Sequence, residues 1–260
     1  MPEWLQIVIL GLIEGITEFL PVSSTGHLIL AEHWLGGRSE LFNVVVQTGA
    51  VLAVLAVFSR RAVDLVVRFN LPENRDYLLK LVVAFGITGV CGLAMKKAGL
   101  RLEKSPTPVA IATLVGGILF VVAELWLRGR KQSERVTWVI ALAVAAGQLL
   151  AIAYPGTSRS GATILFALAL GLARPAAAEF SFLLGIPTLL AAAGKESLDA
   201  YKDHTPHEPW SLILLGTGVA AIAAFVVVKW FLGYLRTHSF MVFGWYRIVL
   251  GIGILLLLKS

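Results

Sequence analysis

The sequence is poor in cysteine and in charge. Cys91 is the only cysteine among 260 residues, which excludes an intramolecular disulfide and a cysteine-based metal cluster. Charged residues make up 15% of the chain, whereas a soluble domain carries about 25%. The N-terminus lacks the basic region and the small-residue cleavage site of a signal peptide, so we expect Met1 onward to belong to the mature fold.

Apolar residues dominate the chain instead. They make up 57% of it, and the mean hydropathy is +0.81. Apolar runs close to the length that spans ~30 Å of hydrocarbon recur along the sequence. This pattern predicts an all-α polytopic membrane protein with about six transmembrane helices. The candidate full spans are residues 41–58, 77–95, 107–127, 175–194, 210–231 and 240–258.

The net charge of +6 has an ordinary explanation in a membrane protein. Lysine and arginine cluster between the apolar runs, in residues 59–68, 96–104 and 128–135, which we expect to be loops. Basic loops set the orientation of membrane proteins and contact anionic headgroups. We therefore expect membrane lipids as partners, and no nucleic acid.

Two apolar regions are interrupted by polar turns. Residues 4–20 run into Pro21 and "VSSTG" before the apolar pattern resumes at 27–35. Residues 136–153 run into "YPGTSRSG" before it resumes at 162–173. Each piece is too short to cross a bilayer alone. We therefore predict two re-entrant broken-helix pairs.

The two interrupted regions also indicate an internal repeat. A shift of 134 residues pairs Pro21 with Pro155, Ser24 with Ser158 and Glu14 with Gln148. Each half then holds one re-entrant pair and three crossings, an odd number, so the second half is inverted. We predict inverted repeats over residues 1–130 and 131–260 of one membrane domain, with a polar site where the two broken elements meet.

Glu14 and Glu18 form an acid pair at i, i+4, on one helix face. Carboxylates inside a membrane are costly and usually mark a functional site. Two close carboxylates suit either acid–base chemistry or a hard divalent cation such as Mg²⁺ or Ca²⁺. The alternative is that both lie at a water interface without a role.

Four polar residues follow the break at Pro21, namely Ser23, Ser24, Thr25 and His27. One explanation is a helix cap, in which a hydroxyl accepts from free backbone N–H groups. Three hydroxyls with a histidine exceed what a cap requires. A serine near a histidine and a carboxylate is the arrangement of an activated nucleophile.

The second turn contains Arg159 between two long apolar runs. An arginine beside backbone donors at a helix start is typical of a phosphate site. The alternative is a structural ion pair between Arg159 and Glu14 or Glu18. The same turn offers close backbone approach and hydroxyl donors through Gly156, Thr157, Ser158, Ser160 and Gly161.

Three weaker signals lie elsewhere. Arg247, inside the last span, is expected to support the site or to extend towards the interface. Glu124 is expected at the membrane interface. The small-xxx-small spacing of Gly11 and Gly15 predicts helix packing.

The sequence resembles the undecaprenyl-diphosphate phosphatase family of bacteria, the bacitracin-resistance phosphatases. "EGITEFLPVSSTGH" (14–27) fits the family's ExxxE pair and serine-rich turn, and "PGTSRSGAT" (155–163) fits PGxSRSxxT without departure. The resemblance covers essentially the whole chain. It implies a multi-pass enzyme of the bacterial inner membrane that converts undecaprenyl diphosphate to the monophosphate. That reaction recycles the lipid carrier for peptidoglycan synthesis and confers bacitracin resistance.

The resemblance also implies which residues act. Its functional residues correspond here to Glu14, Glu18, Ser24, His27 and Arg159. Around them we expect a binding set for a long-chain prenyl diphosphate: Ser23, Thr25, Gln148, Gly156, Thr157, Ser158, Ser160 and Gly161.

For the mechanism, we expect Ser24 to attack the terminal phosphorus while Glu18 or His27 takes its proton. Attack by His27 or by an activated water stays open, as does a homodimer. A membrane transporter or lipid-carrier flippase is the alternative function, since inverted repeats with broken helices are typical of transporters.

Overall fold

The computed structural model describes residues 1–100, 102, 104–203 and 207–258. Over these residues the regular structure is helical, apart from one isolated bridge between Ser133 and Leu172. The helices are α1 (Glu3–Thr17), α2 (Ser24–Leu35), α3 (Glu40–Val57), α4 (Ser59–Val67), α5 (Pro72–Lys97), α6 (Pro106–Leu127), α7 (Trp138–Ala153), α8 (Arg159–Ala169), α9 (Arg174–Asp203), α10 (Trp210–Tyr234) and α11 (Met241–Leu257).

Five of these helices are long and apolar enough to cross a membrane, namely α3, α5, α6, α9 and α10. The sixth expected crossing is the apolar α11, which has 17 residues. Large apolar side chains point outward along these helices, with Val90, Ile222 and Val249 each about 70% exposed. Such a surface is suited to lipid rather than to water. The predicted all-α, multi-pass membrane architecture is confirmed.

The helices break where the sequence predicts. α1 has 15 residues and α7 has 16, so they reach about 22 and 24 Å, short of a full crossing. The second helix of each pair begins three residues earlier than expected, at Ser24 rather than 27 and at Arg159 rather than 162. The reason is a serine cap before each helix, which brings the polar residues into its first turn.

Close helix packing fixes α1 against α10. A Cβ atom on Gly11 would collide with the backbone of Gly216, and one on Gly15 would collide with Ala220. The small-xxx-small spacing therefore serves packing, as predicted. This contact sets the position of the acidic C-terminal end of α1.

One helix replaces an expected loop. Residues 59–68 were predicted to be a basic loop, but Ser59–Val67 form the short helix α4. Its charges are spaced for helical pairing, with Asp64 binding both Arg61 and Arg68. The same helix also exposes the apolar Val66 and Val67. It therefore carries both charged and apolar surface, as amphipathic helices at a membrane interface do.

Candidate active site

The turn between α1 and α2 contacts the turn between α7 and α8. Ser160, fully buried at the start of α8, donates its hydroxyl to the carbonyls of Glu18 and Leu20, each at 3.1 Å. The first bond satisfies a backbone acceptor outside the helix, and the second adds to the bond that the Leu20 carbonyl already accepts from the N–H of Val22. Ser160 therefore holds the first turn against the second.

Arg247 joins the same two turns from α11. Its guanidinium is fully buried and donates to the carbonyls of Pro21 at 3.2 Å, Thr157 at 2.9 Å and Thr113 at 3.2 Å. Because all of its contacts are with backbone carbonyls, the cation is solvated by peptide dipoles. Arg247 supports the site and does not extend towards the interface.

Each short helix starts from a serine in an unusual backbone conformation. Ser23 has φ 74° and Ser158 has φ 66°, and they are the non-glycine residues with positive φ among those described. Each side chain accepts from the N–H three residues on, Gly26 at 3.3 Å and Gly161 at 3.1 Å. Strained backbone of this kind tends to occur at functional sites.

The positions of the two serine caps change which residues of the two halves correspond to each other. The 134-residue shift pairs Ser24 with Ser158, but the residue that caps like Ser158 is Ser23. The reason is that five residues separate α1 from its cap, whereas four separate α7 from its cap. Ser24 therefore matches Arg159, and each is the first residue of its half-helix.

The side chains of Ser24 and Arg159 both donate to the same carboxylate. The Ser24 hydroxyl donates to Glu18 Oε2 at 2.8 Å, and Arg159 Nη2 donates to Glu18 Oε1 at 3.0 Å. Glu18 is 7% exposed and Arg159 is 12% exposed. A serine hydroxyl and a cation thus each lie within hydrogen-bonding distance of one carboxylate, which is placed to accept the proton of the hydroxyl.

Arg159 keeps unused donors in this site. Its guanidinium lies 5.1 Å over the Phe19 ring and against Gly185, where a Cβ atom would collide with it. Nη2 binds Glu18, but buried Nε and Nη1 have no partner among the described residues. Since a buried unpaired donor is costly, these two groups are suited to an anionic ligand.

Glu14 lies one helical turn before Glu18 and is 1% exposed. Neither of its carboxylate oxygens has a hydrogen-bond partner among the described residues. The described residues hold no cluster of three or more histidine, cysteine or acidic side chains placed for a metal. Mg²⁺, however, is commonly held by one or two carboxylates with water and substrate phosphates, and this acid pair fits that donor set.

His27 lies beside the site but does not bind Ser24. Its Nδ1 donates to the carbonyl of Ser23 at 2.8 Å, because a carbonyl can only accept. Its Nε2 is 2.7 Å from the hydroxyl of Tyr246, and the two rings stack with centroids 5.6 Å apart. The structure therefore sets Glu18, rather than His27, next to the serine hydroxyl.

Of the remaining predicted residues, most lie at the two turns, and Gln148 lies apart from them. Gly156, with φ 93°, lies against the backbone of Val109, where a side chain would collide. Thr157, Ser158 and Gly161 lie in the second turn, and Thr25 is half-buried in the first turn of α2. Gln148, in contrast, is buried and donates to Thr88 of α5 at 2.9 Å.

Sequence reasoning missed Tyr246 and Thr113. Thr113 donates to the carbonyl of Gly156 at 3.1 Å and to Ser23 Oγ at 3.3 Å. Tyr246 lies 219 positions from its partner His27, so no local spacing links them. Arg247 directly follows Tyr246 in the sequence. Its charge inside an apolar helix was the signal that could have drawn attention to this part of α11.

The chain is similar to known proteins over nearly its whole length. The family model described as bacitracin resistance protein BacA matches residues 7–253. A protein named undecaprenyl-diphosphatase from Rhizobium etli is 50% identical over 96% of this chain and 95% of its own length. Proteins of that name from Xylella fastidiosa, at 48% identity over 98% of both chains, and Xanthomonas euvesicatoria, at 46% over 100% of this chain and 99% of its own, are also similar. The chain therefore belongs to the bacitracin resistance protein BacA family.

Proposed function

We propose that this protein hydrolyses undecaprenyl diphosphate to undecaprenyl phosphate and inorganic phosphate in the bacterial inner membrane. The observation that carries the proposal is the Glu18 carboxylate, which joins a serine hydroxyl to an arginine with unused donors. The names of the similar proteins support the substrate. The product would re-enter peptidoglycan synthesis, and removal of the diphosphate would deprive bacitracin of the lipid that it sequesters.

Arg159 is proposed to bind the diphosphate. Its buried Nε and Nη1 are the two donors without partners among the described residues, and charged N–H donors of this kind match phosphate oxygens. The start of α8 contributes the positive end of its dipole at the same place. Charge that develops on the transferred phosphoryl group would be stabilised there.

Ser24 is proposed as the nucleophile. Its Oγ attacks the terminal phosphorus, the bond from that phosphorus to the bridging oxygen breaks, and undecaprenyl phosphate leaves. The proton of Ser24 passes to Glu18 Oε2, which is 2.8 Å away. Glu18 then releases that proton to the departing undecaprenyl phosphate. Water attacks the phosphoserine and gives a proton to Glu18, the bond from phosphorus to Ser24 Oγ breaks, Glu18 returns the proton to Ser24 Oγ, and inorganic phosphate is released.

His27 is proposed to orient the first turn rather than to attack the terminal phosphorus. Both of its ring nitrogens are engaged, with Ser23 on one side and Tyr246 on the other. Rapid quenching with labelled substrate distinguishes the two roles, because the phosphoryl group is expected on Ser24. Phosphate on His27 with none on Ser24 would contradict the assignment.

A divalent cation is proposed at the acid pair. Glu14, whose oxygens have no partner among the described residues, would hold Mg²⁺ or Ca²⁺ together with Glu18. Such an ion supplies charge neutralisation for phosphate oxygens. EDTA is expected to lower the rate, and added Mg²⁺ or Ca²⁺ is expected to restore it.

The test is phosphate release from undecaprenyl diphosphate by purified protein in detergent. We expect Ser24→Ala to lower kcat on the order of 10⁶-fold, as loss of a serine nucleophile does. Ser59→Ala is the matched control, because Ser59 is exposed and bonds only the nearby Ala56 carbonyl. Detergent removes the sealed membrane that transport needs, so a failure to release phosphate with any divalent cation would favour the transporter or flippase.

A further inference from the structure

Arg247 is a buried cation without a counter-ion. It is fully buried in α11, and none of the ion pairs between described residues includes it. Its guanidinium donates only to backbone carbonyls, namely those of Pro21, Ala112, Thr113, Gly156 and Thr157. Arg159, in contrast, is paired with Glu18. Since an unpaired charge at this depth is costly and usually marks a function, the charge of Arg247 requires an explanation beyond packing.

The hydrogen bonds of Arg247 place this charge between the two polar turns. Nη1 donates to the carbonyl of Pro21, which lies three residues before Ser24. Nη2 donates to the carbonyl of Thr157, which lies two residues before Arg159. The guanidinium is therefore held by the two backbone segments that lead into the reactive side chains.

The packing around the guanidinium shows that its charge acts on both half-helices of the site. A Cβ atom on Gly116 of α6 or on Gly161 of α8 would collide with it. Gly161 belongs to the first turn of α8, where the positive end of the helix dipole lies. Arg247 also interacts electrostatically with His27 of α2. Its charge therefore adds to the positive potential of the site.

We propose that Arg247 is a specificity-determining residue, whose unpaired charge makes the site prefer a diphosphate to a monophosphate. The inference rests on the proposed function and adds to it a means of telling substrate from product. A prenyl diphosphate carries about one more negative charge than the monophosphate, and Coulomb attraction grows with that charge. At an effective dielectric constant of about 20, one extra unit charge roughly 12 Å away changes a binding constant about tenfold. Arg247 would thus favour undecaprenyl diphosphate over undecaprenyl phosphate.

The test compares two ligands that share one tail. Farnesyl methylenediphosphonate, which has carbon in place of the bridging oxygen and is not hydrolysed, stands for the substrate, and farnesyl phosphate stands for the product. The dissociation constants are measured by titration of purified protein in detergent with EDTA, so that no divalent cation changes the charge of a ligand. We expect Arg247→Gln, which keeps N–H donors but no charge, to lower the preference for the diphosphonate about tenfold. Arg247→Lys keeps the charge and is expected to retain the preference within about threefold.

Thr113→Val is the matched control for the structural role of Arg247. The Thr113 hydroxyl donates to the Gly156 carbonyl and to Ser23 Oγ, so it joins the same two turns without a charge. Its removal should loosen the turns and weaken the binding of both ligands by the same factor. The preference for the diphosphonate is therefore expected to stay at its wild-type value.

A second variant keeps Arg247 and neutralises its charge. Ala112, whose carbonyl is 3.4 Å from Nη2, lies one helical turn before Gly116, on the same face of α6. Ala112→Asp therefore places a carboxylate beside the guanidinium, and a paired cation is tolerated inside a membrane. We expect the same tenfold loss of preference as in Arg247→Gln, with thermal unfolding as the check of folding.

The variants distinguish charge from geometry. An unchanged preference in both Arg247→Gln and Ala112→Asp would reduce Arg247 to a structural clamp. An equal loss in Arg247→Lys or in Thr113→Val would assign the effect to the geometry of the turns, and would also overturn the proposal. A wild-type protein that releases no phosphate from undecaprenyl diphosphate, while its ligand preference still depends on Arg247, would instead reject the proposed hydrolysis and leave the anion site.

Discussion

The two polar turns have the same backbone design but different chemistry. Each follows a short helix, passes through a serine at positive φ and opens a second short helix whose third N–H binds that serine. The first residue of the new helix is Ser24 in one turn and Arg159 in the other, and both bind Glu18. Two turns of similar backbone geometry thus bring a serine hydroxyl and a cation to a single carboxylate.

The helices that precede the turns differ in the same way. Glu14 of α1 is buried without a partner among the described residues, whereas Gln148 of α7 donates to Thr88. The amide nitrogen of Gln148 is therefore used within the fold, whereas its Oε1, like both carboxylate oxygens of Glu14 and the Nε and Nη1 of Arg159, has no partner among the described residues. Local breaches of polar pairing are expected at functional sites, and here they occur in both halves.

After the loss of Ser24, the largest effect is expected from removal of the cation in the second turn. Arg159→Ala should lower kcat about 10²–10³-fold, because the developing phosphoryl charge loses its main donor. Arg159→Lys should recover part of the rate, since lysine keeps the charge without the two-pronged geometry. Phosphate release measures both variants, with thermal unfolding as a check of folding. A rate near that of wild type in Arg159→Ala would show that Arg159 is only a structural partner of Glu18.

A smaller effect on activity is expected when the acid of the first half is changed to the amide of the second half, and the reverse. Glu14→Gln should weaken activation by Mg²⁺ about 10–100-fold, because it removes a charged ligand. Gln148→Glu should add no activation and should destabilise the fold, since it replaces the donor to Thr88 with a buried acid. Metal titration of phosphate release and thermal unfolding measure the two changes. Unaltered Mg²⁺ dependence in Glu14→Gln would exclude Glu14 as a ligand.

The contact between His27 and Tyr246 has no counterpart at the second turn in the described residues. Tyr246→Phe should lower kcat/KM about three- to tenfold, the value of one lost hydrogen bond, while leaving the stacked ring. Tyr234→Phe is the control, because Tyr234 also stacks on a histidine, His238, away from the site. Equal effects of the two variants would mean that Tyr246 acts only in packing.

The sequence predicts the helices and their breaks well because hydropathy and proline act locally. Pro21 and Pro155 mark the ends of the broken helices, and the apolar runs mark the crossings. Adjacent serines, in contrast, are equivalent in composition, and only the backbone shows that Ser23 is the cap and that Ser24 donates to Glu18.

Contacts between distant residues are also hidden from sequence. Glu124 was expected at the membrane interface, but it is 4% exposed. Its carboxylate binds Arg174, with Nε at 2.8 Å, and accepts from the backbone N–H of Phe240. Three helices must pack before this pairing exists, so no local pattern could predict it.

The last prediction concerns stability rather than rate. It distinguishes a serine that bonds to the opposite turn from a residue at the same position of the other half-helix. Ser160 and Thr25 are each the second residue of their half-helix, but Ser160 donates to two carbonyls of the opposite turn. Ser160→Ala should destabilise the protein by about 1–3 kcal/mol, because it leaves the carbonyl of Glu18 without a partner among the described residues, while that of Leu20 still accepts from the N–H of Val22. Thr25→Ala, at a half-buried position, should change stability by less than about 0.5 kcal/mol. Denaturation in detergent measures both, and equal losses would mean that Ser160 does not hold the turns together.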